Sequence, residues 1–115
     1  MNMMGRIVCA LALATSTSEV LAIGLIKTGK IVQVRVDKSG RGYVLFDRKV
    51  ASPANCVYPN YPSHMSFDTN TTGGRSILGV ALAAQSAGSS VAAAGTGTCE
   101  GYGVMENISE FYKLN

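Results

Sequence analysis

The segment 77–99, ILGVALAAQSAGSSVAAAGTGTC, decides the fold of this 115-residue chain. Ala, Gly, Ser and Thr dominate it, a composition that is also typical of flexible linkers. However, residues 75–87 contain no proline and a majority of good helix formers. Gly88 stands where helices commonly end, and Thr72 or Ser76 can cap the start. We therefore predict a helix over Arg75–Ala87 and reject the linker.

The predicted helix is apolar on most of its sides. Its polar strip, Arg75 and Ser86, is narrow, and a helix of this kind needs cover on most sides. One sheet in a domain this small does not easily provide that cover. Two apolar stripes run along it at helical spacing: Ile77, Val80, Ala84 and Ala87, then Leu78, Leu82 and Gln85.

Strands are predicted on both sides of this helix. GKIVQVRVD (29–37) alternates with a period of two, which predicts a half-buried strand with its valines inward. The turn DKSGRG leads back into YVLFDRKV (43–50), which completes a hairpin. SHMSFD (63–68) is a short third strand. SSVAAAGTGTC (89–99) follows the helix, and its small side chains allow another backbone to approach closely, as beneath the helix.

The last predicted strand is VMENISEFYKLN (104–115). The element order is therefore strand, strand, strand, helix, strand, strand. It predicts an α+β, mainly β fold: a small OB-like five-stranded barrel or curled sheet, with one helix between strands 3 and 4. An open α+β sheet with the helix across one face has the same element order and stays as the alternative.

The N-terminus, 1–22, resembles an export signal. Arg6 precedes an apolar run, and Val20-Leu21-Ala22 offers small residues for cleavage after Ala22. The alternative is a buried N-terminal helix. The run is well below the roughly 20 residues that span a bilayer, so no stable membrane anchor is expected. We predict a signal peptide, 1–22, and one exported domain, 23–115, which is periplasmic or secreted.

Removal of the signal leaves two cysteines, Cys56 and Cys99. An even number in an exported protein favours a disulfide, and two unpaired thiols are the alternative. Two cysteines and one distant histidine, His64, do not supply the ligands of a zinc site. No metal or other cofactor is predicted.

The formal net charge is +3, and the basic residues concentrate between residues 27 and 49. Such a face can meet acidic sugars, lipid headgroups or nucleic acid. The basic residues alternate with apolar ones, however, so the solvated side of a sheet is the favoured interpretation, and no nucleic-acid partner is expected. The seven residues are Lys27, Lys30, Arg35, Lys38, Arg41, Arg48 and Lys49.

No catalytic constellation is present in the sequence. His64 is the sole histidine, and neither Ser63 nor Ser66 stands in a G-x-S-x-G nucleophile elbow. The spacing of the carboxylates predicts no paired acid and base. We expect a binding protein, not an enzyme.

The candidate ligand surface combines tyrosines with short polar side chains. Aromatic faces stack on sugar rings, while Asn and Asp side chains hydrogen-bond to hydroxyls. Alternatively, the tyrosines pin a proline-rich loop to the sheet, and TNTTGGRS (69–76) is an ordinary helix start, not an anion site. The candidates are Tyr58, Asn60, Tyr61, His64, Asp68 and Arg75.

SFDTNTTGGRSILGVALAAQSAG (66–88) and GTGTCEGYGVMENI (95–108) resemble a group of small exported bacterial proteins of uncharacterised function. The resemblance implies export and a Cys56–Cys99 pair, but no activity. The layout is also distantly similar to AB5 toxin B subunits of the subtilase-cytotoxin type, OB-folds with a disulfide whose helices line a ring of five. That similarity implies glycan binding and a pentamer-like homo-oligomer through Arg75–Ala87.

The sequence favours two functions, and an enzyme, which would need a pocket around His64, is the third alternative. The first is a glycan-binding module. No sugar-binding motif of the toxin subunits can be matched to this sequence residue by residue. The second is an envelope or periplasmic interaction protein, such as an inhibitor, which acts through the basic hairpin with Arg35, Arg41 and Arg48.

Overall fold

The computed structural model describes residues 22–115. The predicted signal peptide, apart from its last residue, therefore lies outside the described residues, as does Cys9. None of the described helices is long and apolar enough to cross a bilayer. The elements are β1 (Leu25–Gly29), β2 (Ile31–Val36), β3 (Arg41–Phe46), β4 (His64–Asp68), α1 (Thr72–Ala87), β5 (Val91–Gly95) and β6 (Glu106–Lys113).

The strands form one sheet in the order β1-β5-β6-β4-β3-β2. Only β4 and β6 pair in parallel, and the other neighbours are antiparallel. The sheet is not closed. Helix α1 packs against β2, β4 and β6 on one face. A mainly β fold with one helix between strands is thus confirmed, and the core lies between this helix and the sheet.

Residues 22–115 form six strands, so the predicted number of five is not confirmed. The additional strand is β1, which is separated from β2 by Lys30 alone. The chain bends there, with the backbone of Lys30 donating to Asp47 Oδ1 at 2.9 Å and accepting from the Asp47 N–H at 3.0 Å. As a result, β1 pairs with β5 at one end of the strand order, and β2 pairs with β3 at the other.

Helix α1 begins three residues before the predicted start. Its N-cap is Thr71, whose hydroxyl accepts from the Gly74 N–H at 2.9 Å, not Thr72 or Ser76. A Cβ at Gly74 would lie 1.7 Å from the Asp68 carbonyl oxygen, so the turn into the helix needs a glycine there. The predicted end is confirmed: Gly88 caps the helix in the left-handed region, at φ 66°.

The sheet covers only one side of the helix. Gly74, Ala81 and Ala84 are buried against it, whereas Leu82 on the other side is 47% exposed. Small side chains on the covered side allow the helix backbone to approach the sheet closely. The main core comprises Ile26, Val44, Phe46, Val50, Met65, Phe67, Ala81, Ala84, Val91, Ala93 and Ile108.

The predicted β2–β3 hairpin is confirmed, but β2 is less buried than its alternation indicates. Val34 packs against the core, while Val32 and Val36 are 56% and 45% exposed. The reason is position, because β2 is the last strand of the sheet order and has a neighbour on one side only.

Glu106, at the start of β6, is a buried polar centre with 1% exposure. Its carboxylate accepts backbone N–H groups from Gly24 and Gly97, each at 2.9 Å to Oε2, and from Ala54 at 2.9 Å to Oε1. A Cβ at Gly95 would lie 1.9 Å from Oε2. At the end of β5, the group that approaches Gly95 closely is therefore the Glu106 side chain, whereas the sequence analysis predicted the backbone of another segment. Glu106 joins three segments distant in sequence.

Candidate functional site

Two loops extend over the face of the sheet opposite α1. They are residues 52–63 and 96–105, and the predicted Cys56–Cys99 disulfide joins them. The Tyr58 N–H donates to the Val104 carbonyl at 2.9 Å, a second tie between the same loops. The Gly101 N–H donates to Asn107 Oδ1 of β6 at 3.1 Å, which holds the second loop to the sheet.

Four aromatic rings meet on this face and form what we call the tyrosine–histidine cluster: Tyr43, Tyr61, His64 and Tyr102. The Tyr43 and His64 ring centroids are 5.1 Å apart, and those of Tyr61 and His64 are 5.2 Å apart. Tyr102 lies 6.2 Å from Tyr43. All three contacts are edge-to-face, the arrangement that the charge distribution of aromatic rings favours. Each of the four residues is partly exposed.

Strand register explains why two of these rings meet. Tyr43 of β3 lies opposite Ser66 of β4, so His64, two residues before Ser66, is its diagonal neighbour on the same face. Val44 and Met65 point to the other face and are fully buried in the core. Tyr61 and Tyr102 are then brought in by the two disulfide-linked loops.

An ion pair borders the cluster. Arg35 Nε lies 2.9 Å from Asp37 Oδ1, and the Arg35 guanidinium carbon lies 5.6 Å from the Tyr43 ring centroid, within cation–π range. The Tyr102 hydroxyl donates to Asp37 Oδ2. The turn after β2 and the loop 96–105 are thereby joined above Tyr43.

The cluster carries little net charge near neutral pH. Burial lowers the pKa of His64, so its imidazole is mainly neutral at pH 7. Burial and the bond to Asp37 raise the pKa of Tyr102 to about 12. The pKa of Asp37 is lowered, mainly because its carboxylate accepts the hydrogen bond from Tyr102. The negative charge of Asp37 offsets the positive charge of Arg35. His64 Nδ1 is buried and has no hydrogen-bond partner among residues 22–115. The face is thus mainly aromatic and carries little net charge.

The structure brings two of the six predicted site residues, Tyr61 and His64, into direct contact. Tyr58 and Asn60 lie in the same loop and are exposed, Tyr58 by 55%. Tyr58 and Asn60 therefore lie beside the cluster, since the Tyr61 N–H donates to the Tyr58 carbonyl at 3.0 Å.

Asp68 and Arg75 lie elsewhere. Asp68 is at the other end of β4, four residues or about 13 Å from His64. Its Oδ1 accepts from the backbone and side chain of Asn70 at 2.9 Å each. Arg75 donates to the Thr69 carbonyl at 2.9 Å. Both side chains organise the turn that starts α1.

Sequence reasoning missed Tyr43 and Tyr102. Tyr43 reads as an ordinary strand residue, although its alternation with Val44 places it on the face away from the core. Tyr102 stands three residues after Cys99, so the disulfide carries it towards the loop of Tyr61. The sequence positions of Tyr43 and Tyr102 were therefore informative, but their meaning could be recognised only once the strand pairing was known.

Residues 22–115 contain no group of three or more His, Cys, Asp and Glu side chains placed to hold a metal ion. The cluster offers partly exposed ring faces and phenol groups. It is suited to holding a small polar ligand with apolar patches. No protein-family model, curated protein or solved structure matches this chain.

Proposed function

We propose that this chain is a non-enzymatic carbohydrate-binding module and that the tyrosine–histidine cluster holds the sugar. The observation that carries the proposal is the grouping of four partly exposed aromatic rings on one nearly neutral face. The apolar C–H faces of a sugar ring pack on aromatic side chains, and its hydroxyls pair with phenol groups. Tyr58 and Asn60 contribute to the rim.

The order of strands supports an OB-like fold as part of this proposal. If β1 and β2 are counted as one strand bent at Lys30, the sheet order becomes 1-4-5-3-2-1, with α1 between the third and fourth strands. OB-folds bind oligosaccharides on the face of strands 2 and 3 and with the loops that follow strands 1 and 4. Those positions correspond here to Tyr43, His64, Asp37 and Tyr102.

Export and assembly belong to the same proposal. A disulfide is compatible with an oxidising compartment, so we place the protein in the periplasm or outside the cell. A pentamer-like ring through α1, as in the toxin B subunits that the layout resembles, would cover Leu82, which is 47% exposed. Light scattering tests the ring, and a monomer at working concentrations contradicts it.

Glycan binding is tested with two tyrosine variants on a glycan array. We expect the wild-type protein to bind a restricted set of glycans. Tyr61→Ala should lose at least about tenfold in affinity, because the substitution removes one of the aromatic rings of the cluster on which the sugar stacks. Tyr112→Ala is the matched control, since Tyr112 is 50% exposed on β6 and outside the cluster. Equal losses in both variants, or no glycan bound by the wild type, would refute the proposal.

A second candidate function is protein binding through the β2–β3 hairpin, as an envelope interaction protein or inhibitor. It is favoured by the exposed end strand β2, where Val32 and Val36 lie beside backbone groups that can pair with a partner strand. Of the hairpin arginines, Arg35 and Arg48 are paired with Asp37 and Asp47. If this function is the right one, reversal of Arg35, Arg41 and Arg48 to Glu abolishes partner recovery while the glycan array stays empty.

A further inference from the structure

A cleft of about 360 Å³ lies between β1 and the segment that follows β3. It is lined by residues 25–28 and by Arg48, Lys49 and Ala51. Leu25 and Ala51 exchange two backbone hydrogen bonds of 2.9 Å, which fix the two sides of the cleft relative to each other. None of these residues belongs to the tyrosine–histidine cluster.

The charged residues of the cleft have one sign. Lys27, Arg48 and Lys49 are among its lining residues, and none of the lining residues within 22–115 carries a carboxylate. Arg48 is paired with Asp47 at 3.0 Å, whereas neither lysine has a carboxylate at salt-bridge distance within residues 22–115. Cations gathered on one concave surface raise the local positive potential, which attracts an anion.

The rest of the lining is mostly apolar. Ile26 belongs to the buried core, and Leu25, 41% exposed, lies beside Ala51. The volume lies at the lower end of the roughly 300–1,000 Å³ range of small-molecule sites, so it has room for more than a bare anion. A suitable ligand therefore combines a strongly charged group with a compact, partly apolar body.

We infer that this cleft binds a phosphate monoester, carried on a soluble metabolite or on a lipid headgroup. A phosphate monoester has a charge of about −1.5 to −2 near pH 7, which matches two unpaired lysines better than a single carboxylate does. Lysine and arginine are both common phosphate binders. The organic part of the ester then lies against Leu25 and Ala51.

The test measures binding by backbone amide NMR with glycerol 3-phosphate as the soluble probe and glycerol as its uncharged control. We expect saturable shifts at residues 25–28 and 48–51 with the ester and none with glycerol. Lys27→Gln/Lys49→Gln should bind at least about tenfold more weakly. Lys38→Gln/Lys113→Gln removes the same charge from exposed positions elsewhere and should bind as the wild type does.

Vesicles distinguish the two sources of the ester. Binding to phosphatidylcholine vesicles that contain phosphatidic acid, with loss in the Lys27/Lys49 variant only, assigns the cleft to a lipid headgroup. Binding of glycerol 3-phosphate without vesicle binding assigns it to a soluble ester. Absence of both, or equal losses in the two lysine pairs, overturns the inference. Tyr61→Ala should leave this binding unchanged, so failure here and failure of the glycan proposal are separable.

Discussion

Replacement of Glu106 by alanine is expected to lower the free energy of unfolding by about 4 kcal/mol or more. The reason is that the N–H groups of Gly24, Ala54 and Gly97 would lose their shared acceptor while buried or partly buried. Each unsatisfied buried donor costs about 1–3 kcal/mol. Chemical denaturation of the two proteins, followed by circular dichroism, measures the difference.

Glu100→Ala is the control for this experiment, because Glu100 is exposed and its loss should cost roughly 0.5 kcal/mol or less. Gly95→Ala adds a second check. The new Cβ would collide with Glu106 Oε2, so the Gly95→Ala substitution should be strongly destabilising in the wild type. In a protein that already carries Glu106→Ala, the same substitution should be much less destabilising. Additive losses from the two substitutions would contradict the contact between these residues.

Removal of the disulfide by Cys56→Ser/Cys99→Ser is expected to cost about 4 kcal/mol. The bond closes a loop with a sequence separation of 43, and the loss of loop-closure entropy in the unfolded chain accounts for that amount. This is a large part of the roughly 5–15 kcal/mol that stabilises a typical domain. The shift of the denaturation midpoint on substitution gives the value.

The same substitution should also weaken glycan binding, because the disulfide joins the loops that carry Tyr61 and Tyr102. Reduction of the wild type by dithiothreitol should reproduce both effects and leave the double variant unchanged. Full glycan binding by the reduced protein would show that the cluster does not depend on the linked loops.

Much of the fold follows from local sequence patterns. The end of α1 was predictable because Gly88 adopts a left-handed conformation that favours glycine. The β2–β3 hairpin was predictable because its alternation and its turn residues agree. The disulfide followed from an even number of cysteines in the predicted mature chain.

The remainder depends on pairings between distant segments. Strand β1 has only five residues, LIKTG, and it is defined by pairing with β5, some 65 residues away, which no local pattern shows. Glu106 resembles a solvated strand residue until N–H groups from three separate segments are seen to surround it. For the same reason, Tyr43 and Tyr102 became site residues only when strand register and the linked loops placed them together.

Carbohydrate binding at the tyrosine–histidine cluster is tested most directly by NMR of ring-labelled tyrosine with the strongest glycan from the array. The chain has five tyrosines, so each ring signal can be assigned by substitution. We predict that Tyr43, Tyr61 and Tyr102 shift on titration while Tyr112 does not. Unchanged signals from these three rings, with the glycan bound, would place the sugar elsewhere and contradict the account.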